Sequence, residues 1–181
     1  MIHDDIKSIL ISEEEIEKSV TRIADEINRD YADKEILLVV ILKGSLVFAA
    51  DLMRKIHVPL RVDFMQASSY GSGTESSGLI KIKKDLENRA DGRHILIIED
   101  IIDSGNTLAA LKNELLARNP ASVKICTLLN KPERRVTHVD VDYSGMEIPD
   151  EFVVGYGLDF DERYRHLPYI GILSPRVYAK M

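Results

Sequence analysis

The sequence of 181 residues holds a single cysteine, Cys126. One thiol cannot close a disulfide within the chain, and it cannot build an all-cysteine zinc site. The histidines at 3, 57, 94, 138 and 166 are scattered, without the paired spacing of a helical zinc motif. Long apolar runs are also missing: the longest, Ile36 to Leu42, is far too short to cross a bilayer. Met1 to Asp5 carries no positive segment leading into an apolar stretch, so no signal peptide is expected and a reduced, cytoplasmic setting is. An excess of positive charge is absent. Against 24 Lys and Arg stand 30 Asp and Glu, a formal net charge of −6, which disfavours a protein whose main task is to grip nucleic acid by its phosphates. The length fits one domain.

What is present is a repeating pattern. Ser12 followed by Glu15 is a capping box, and Ile16, Val20, Ile23, Ala24, Ile27 and Tyr31 then recur at helical spacing. Ile36 to Leu42 is apolar without alternation, as in a strand covered on both faces. Lys43-Gly44-Ser45 breaks it, and Leu46 to Ile56 resumes helical spacing before a strand at about Leu60 to Met65. A second buried strand is expected at Ile95 to Ile98, a helix through Leu108, Leu111, Leu115 and Leu116, and a third strand at Val123 to Leu129. Strand, helix, strand in succession predicts an α/β fold with a twisted, mainly parallel sheet flanked by helices.

Two regions break the rhythm. Residues 67–84 are rich in Ser and Gly and then alternate at Leu79 to Lys83, which predicts a hairpin arm with a mobile loop. Beyond residue 135 the apolar pieces lack helical spacers: Val139 and Val141 hint at a strand, Phe152 to Val154 is a short run, and Ile170 to Leu173 reads as another strand. The expected layout is a core over 12–135 and a small C-terminal hood over 136–181, with residues 1–11 joining it.

The segment from Ile97 to Leu108 concentrates the chemistry. A hydrophobic strand runs into Glu99 and Asp100, then Asp103-Ser104-Gly105-Asn106-Thr107, then a helix. Ligands of parallel sheets bind at the carboxyl ends of strands. Amides at a helix start, with the Ser104 and Thr107 hydroxyls, can cradle a phosphate. Glu99 and Asp100 are adjacent, so a persisting strand points them to opposite sides, from where both can converge on vicinal hydroxyls or a hydrated Mg²⁺. Asp103 is free for another task, such as that of a general base. The spacing matches neither a nucleoside-triphosphate P-loop nor a dinucleotide fingerprint.

This segment resembles the phosphoribosyl-diphosphate motif of type I phosphoribosyltransferases, and the chain from about Ile9 to Tyr178 is similar to the bacterial hypoxanthine-guanine branch of that family. The resemblance implies transfer of a phosphoribosyl group from phosphoribosyl diphosphate to hypoxanthine and guanine, giving IMP, GMP and diphosphate, with Mg²⁺. It further implies a homodimer or homotetramer, with neither nucleic acid nor membrane as partner. On the residues that match, Asp103 is the catalytic acid–base group, and Ser104, Gly105, Asn106 and Thr107 hold the 5′-phosphate. Glu99 and Asp100 face the ribose and, with Asp159, the metal. Lys43, Gly44 and Arg165 bind diphosphate. The peptide between Leu42 and Lys43 can be cis in relatives. Lys131, Phe152, Val153 and Asp159 bind the purine, and Ser69 and Tyr70 open the flap. Two rivals use the same fold: an RNA-binding regulator of pyrimidine genes, which needs a coherent basic face, and a noncatalytic sugar-phosphate module.

Overall fold

The computed structural model describes residues 3–69 and 80–179. Helix α1 (Glu13–Asp30) begins at Ser12, whose side chain accepts from the Glu15 amide while the Glu15 carboxylate accepts from the Ser12 amide. This closed box satisfies two amides that the first turn leaves without partners, an arrangement in which the cap is worth about 1 kcal/mol. Its buried stripe of Ile16, Val20, Ile23, Ala24 and Ile27 faces the sheet.

Among the described residues the large sheet has six strands. They are β2 (Ile36–Ile41), β3 (Leu60–Ser69), β4 (Ile80–Lys84), β5 (His94–Ile102), β6 (Ser122–Asn130) and β7 (Tyr143–Glu147). Their spatial order is β4-β3-β2-β5-β6-β7, and every pairing is parallel except β3 with β4. Helices α2 (Leu46–Met53) and α3 (Asn106–Leu116) connect successive parallel strands.

The unalternated runs have a direct cause. In β2, Leu38 and Val40 pack with α1 and α2, whereas Leu37, Val39 and Ile41 pack on the opposite face with α3. β5 divides likewise, Leu96 and Ile98 to one layer and Ile95 and Ile97 to the other. A strand with helices on both faces must be apolar at every position, and each such side chain contributes roughly 1.5–3 kcal/mol. Cys126 lies in β6, fully buried, and burial pushes its thiol up from the ordinary range.

A second, antiparallel sheet of three strands stands over the carboxyl end of the first, in the order β1 (Ile6–Ile11), β9 (Ile170–Leu173), β8 (Val153–Val154). The last helix, α4 (Pro175–Tyr178), follows β9.

One expectation needs correction. Val139 and Val141 form no strand; the strand is β7, and its parallel pairing with β6 places residues 143–147 in the large sheet rather than the hood. Val139 is nonetheless buried, against the α3 side of the core, so its apolar character reports burial without strand geometry. The hairpin arm expected over 67–84 is present, since β3 reaches Ser69 and pairs antiparallel with β4 from Ile80; Tyr70 and the rest of 70–79, where the mobile loop is expected, lie outside the described residues. The helix expected through Leu108, Leu111, Leu115 and Leu116 is α3, with Leu116 exposed at its last position.

Asp63 of β3 ties the arm to the body. Its buried carboxylate accepts from the Phe64, Glu87 and Asn88 amides at 2.7–2.9 Å. Burial alone would push this carboxyl up, but hydrogen bonds, those from Asn88 foremost, hold it below the usual range.

Candidate active site

The site forms where two strands part company. From β2 the chain crosses outward to β3, and from β5 it crosses the other way to β6, so the adjacent pair β2 and β5 marks a topological switch point. Pairing between them stops at Val40 and Ile98, while β5 continues beside β6 as far as Ile102 and Asn130. Glu99 and Asp100 therefore sit on a strand end that has outrun one neighbour. They line a cleft of about 240 Å³ together with Asp103, Ser104, Gly105 and Thr107. A larger cavity of about 800 Å³ lies elsewhere, between α1 and residues 165–168, and includes Arg165 in its wall.

Strand alternation separates Glu99 and Asp100 less than the sequence implies. Glu99 Oε1 turns back to accept from the Asp100 amide at 3.2 Å, and Asp100 Oδ1 accepts from the Ile101 amide at 2.7 Å. The two carboxyl groups consequently feel each other. Burial, reinforced by the charge of Asp100, raises Glu99 well above the ordinary carboxylate range. Burial raises Asp100 as well, opposed by hydrogen bonds from Glu99 and the Ile101 amide and by the charge of Arg165.

The turn after β2 presses on this pair. A β-carbon at Gly44 would stand 1.7 Å from Asp100 Oδ2, so any larger residue there must displace the carboxylate. The Leu42–Lys43 peptide is cis. Ser45 is buried and donates its hydroxyl to the Ile41 carbonyl.

Asp103 to Thr107 make the strand-to-helix turn. Gly105 caps α3 with φ +85°, a left-handed conformation that favours glycine, and any β-carbon there would meet the Thr137 carbonyl at 2.4 Å. The Ser104 carbonyl accepts from the Val136 and Thr137 amides, both at 2.9 Å, and the Thr137 hydroxyl donates to Asn106 Oδ1. These bonds pin the turn from outside and leave the start of α3 facing the cleft.

The 131–135 segment contributes two residues that the sequence does not single out as site residues. Arg134 Nε lies 3.0 Å from Asp103 Oδ1, close enough for an ion pair yet off line for a hydrogen bond, so this buried oxygen has no donor. Arg135 Nε donates to the Asp103 carbonyl at 3.0 Å. Their only local signal is their place just after Lys131-Pro132-Glu133, in and beside the short 3-10 helix Pro132–Arg134.

Lys131 is held at the same strand end: its amide donates to the Ile102 carbonyl at 2.9 Å. Its buried ammonium donates to the Glu151 carbonyl at 2.7 Å and stands 3.8 Å from Asp150 Oδ1, an oxygen that Arg134 also approaches at 3.5 Å. Asp103, Arg134, Asp150 and Lys131 are thus linked by successive contacts. Phe152 follows directly, 42% exposed, with Tyr178 stacked on it at 5.4 Å and Phe160 edge-on at 5.5 Å. Val153 is buried and pairs with Ile172.

Asp159 and Arg165 are joined at 2.9 Å, and Arg165 also donates to the Gly157 carbonyl at 2.8 Å. Lys43 Nζ lies 2.9 Å from Glu162. Among the described residues no three Asp, Glu, His or Cys side chains come together as a metal cluster, and Asp159 is turned to Arg165. Glu99 and Asp100 by themselves suit a hard divalent ion, because crowded carboxylates favour a cation that completes its shell with water and substrate phosphates. Taken together, the arrangement offers amides and hydroxyls for one phosphate, cations for a second anionic group, carboxylates for hydroxyls or a metal, and an ammonium beside an aromatic ring for a planar acceptor.

A model of the phosphoribosyl transferase domain matches residues 8–161. The chain belongs to the phosphoribosyltransferase family. It is 53% identical over 178 residues to the hypoxanthine-guanine phosphoribosyltransferase of Bacillus subtilis, covering 98% of this chain and 99% of that one. With the protein of the same name from Streptococcus pneumoniae it shares 50% over 179 residues, 99% of both chains. Its structure is similar to that of the Staphylococcus aureus hypoxanthine phosphoribosyltransferase, with a TM-score of 0.94, 46% identity and coverage of 97% and 96% of the two chains. The hypoxanthine phosphoribosyl transferase of Trypanosoma cruzi gives a TM-score of 0.95 at 39% identity, over 99% and 97%.

Proposed function

We propose that the protein transfers the 5-phosphoribosyl group of phosphoribosyl diphosphate to hypoxanthine and guanine, forming IMP or GMP and releasing diphosphate in purine salvage. The observation that carries this reading is the linkage of Lys131 and Asp103 through Asp150 and Arg134, with Phe152 beside Glu151. An ammonium next to an exposed ring suits the oxygen of a 6-oxopurine and mismatches an exocyclic amine.

In the reaction the purine nitrogen attacks the anomeric carbon, the bond from that carbon to diphosphate breaks, and the ring oxygen shares the developing positive charge. The α3 amides with Ser104, Gly105, Asn106 and Thr107 anchor the 5′-phosphate. Asp103, with a carboxylate oxygen lacking a donor, takes up the proton that the purine sheds. Lys131 polarises the 6-oxo group, Phe152 stacks on the base, and backbone groups of Val153 meet its edge. Lys43, Gly44 and Arg165 receive the departing diphosphate, and Asp159 orients Arg165. Glu99 and Asp100 take the ribose hydroxyls and would hold Mg²⁺, which supplies charge neutralisation at the diphosphate. Ser69 and Tyr70 belong to the segment that excludes water; its tip lies outside the described residues.

A pyrimidine-operon RNA regulator is disfavoured, because Arg134 and Arg135 turn to Asp103 and Asn130, Lys84 pairs with Glu87, and the sequence carries a formal net charge of −6. A cytoplasmic homodimer or homotetramer completes the reading; no helix among the described residues is long and apolar enough to cross a membrane. The test is an absorbance assay with phosphoribosyl diphosphate, Mg²⁺ and each of hypoxanthine, guanine, adenine and uracil. Turnover of the first two alone is the expected result. Turnover of uracil, or of none, rejects the assignment.

A further inference from the structure

Glu162 stands outside every role assigned so far, yet it occupies a costly backbone position. Asp161 and Glu162 both have positive φ, 52° and 61°, within a tight turn closed by reciprocal backbone bonds between Phe160 and Arg163. Two left-handed residues in succession suit Asn and Gly, and residues with larger side chains avoid them. The turn is further held by the Glu162 amide, which donates to Asp159 Oδ2 at 2.8 Å. Its effect is to aim one carboxylate at two cations from distant parts of the chain. One oxygen lies 2.9 Å from Lys43 Nζ and the other 3.3 Å from Arg165 Nη2. The hydrogen bond from Lys43 is the main reason that the Glu162 carboxyl lies below the usual range, so the group is a standing anion.

We propose that Glu162 is an internal surrogate for diphosphate: a positioning residue that holds Lys43 and Arg165 together through its two oxygens and competes with the substrate's diphosphate group for them. This rests on the reading of Lys43 and Arg165 as the diphosphate cations. A carboxylate shared between an ammonium and a guanidinium makes the same kind of charge-assisted contacts that a phosphate makes. Exposure decides whether such a contact blocks or exchanges. Lys43 and Glu162 are 54% and 64% exposed, and ion pairs so open to water are weak, so an incoming diphosphate with more charge displaces Glu162 at little cost. As diphosphate leaves, the carboxylate reclaims both cations. The surrogate therefore weakens diphosphate binding and speeds its release.

The test is titration calorimetry of the full chain with Mg²⁺-diphosphate, with stopped-flow dissociation rates, for wild type, E162Q and E162G. The glycine variant suits the left-handed turn, so the two differ in backbone demand but share the loss of charge. Both should bind diphosphate about three- to tenfold more tightly, the size of one or two exposed ion pairs, and release it more slowly. KM for phosphoribosyl diphosphate should fall by a similar factor while KM for hypoxanthine stays within about twofold. K43A and R165A in each background complete double-mutant cycles, and the gain from E162Q should vanish when Lys43 is absent. If K43A and R165A weaken diphosphate binding but neither Glu162 variant tightens it, the surrogate is rejected and the diphosphate reading stands. If K43A and R165A bind diphosphate as wild type does, the diphosphate reading falls and takes the surrogate with it.

Discussion

Gly44, in the turn after β2, and Asp100, near the carboxyl end of the adjacent strand β5, are packed so closely that a single added methyl group on Gly44 would overlap the carboxylate, at 1.7 Å from Oδ2. The contact couples the proposed diphosphate turn to the proposed ribose and metal carboxylates. Gly44→Ala must move one of them. Overpacking of this kind costs about 1–3 kcal/mol, which, taken from the site, corresponds to about 5–150-fold in binding. Calorimetry with phosphoribosyl diphosphate and Mg²⁺ should show that loss. A variant with wild-type affinity would mean that the two groups do not act together.

Lys131 separates purine recognition from sugar-phosphate recognition. Lys131→Ala should lower kcat/KM for hypoxanthine by about a hundredfold or more, since a buried polar partner is left unmatched, while KM for phosphoribosyl diphosphate changes less than about threefold. Steady-state kinetics with each substrate varied checks this. Equal losses for both substrates would reduce Lys131 to a structural clamp between Ile102 and Glu151.

Glu99 sacrifices stability to the site. Its native carboxyl is raised by burial and by Asp100, so the native state binds its proton more tightly than the unfolded chain does. Such a group penalises folding progressively as pH rises from its unfolded value through its native one. Glu99→Gln removes the penalty and should stabilise the protein by about 0.5–2 kcal/mol at neutral pH while raising the Mg²⁺ requirement for turnover. Denaturant titrations and a Mg²⁺ dependence of rate are the measurements. An unchanged Mg²⁺ requirement would remove Glu99 from the metal shell.

Asp63 has the opposite sign. Its native carboxyl is held low by the amides of Asn88, Phe64 and Glu87, so it contributes stability above the unfolded value near 3.9, lost as pH falls through the native one. Asp63→Asn should cost about 1–3 kcal/mol at neutral pH, and the gap to wild type should close in acid. Urea unfolding at about pH 7 and about pH 3 tests both parts. A gap that persists in acid would assign the loss to packing.

The parts of this fold that a reader of the sequence can find are those whose cause is local or periodic. α1 announces itself through Ser12 and Glu15, and β2 and β5 through runs that must be apolar because helices cover both faces. β7 gives no such sign: Tyr143-Ser144-Gly145-Met146-Glu147 is an edge strand, and its register comes from β6. In the site, the phosphate turn is legible because its chemistry is contiguous from Glu99 to Thr107. Arg134 and Glu162 are not, because a charged loop residue acquires meaning only from its partner, and Glu162 finds Lys43 across 119 positions. Asp159 shows the converse: its residue type suits a metal, but its nearest charge is Arg165.

The lone sulfhydryl at Cys126 gives the molecule a clock. It sits in β6 between β5 and β7, sealed from water, so no disulfide reagent can reach it until neighbouring strands separate. Labelling of that one atom, followed over time, counts openings of β6 from its neighbours with no mutation or dye needed. Any substrate that clamps the carboxyl end of β5 should slow the count.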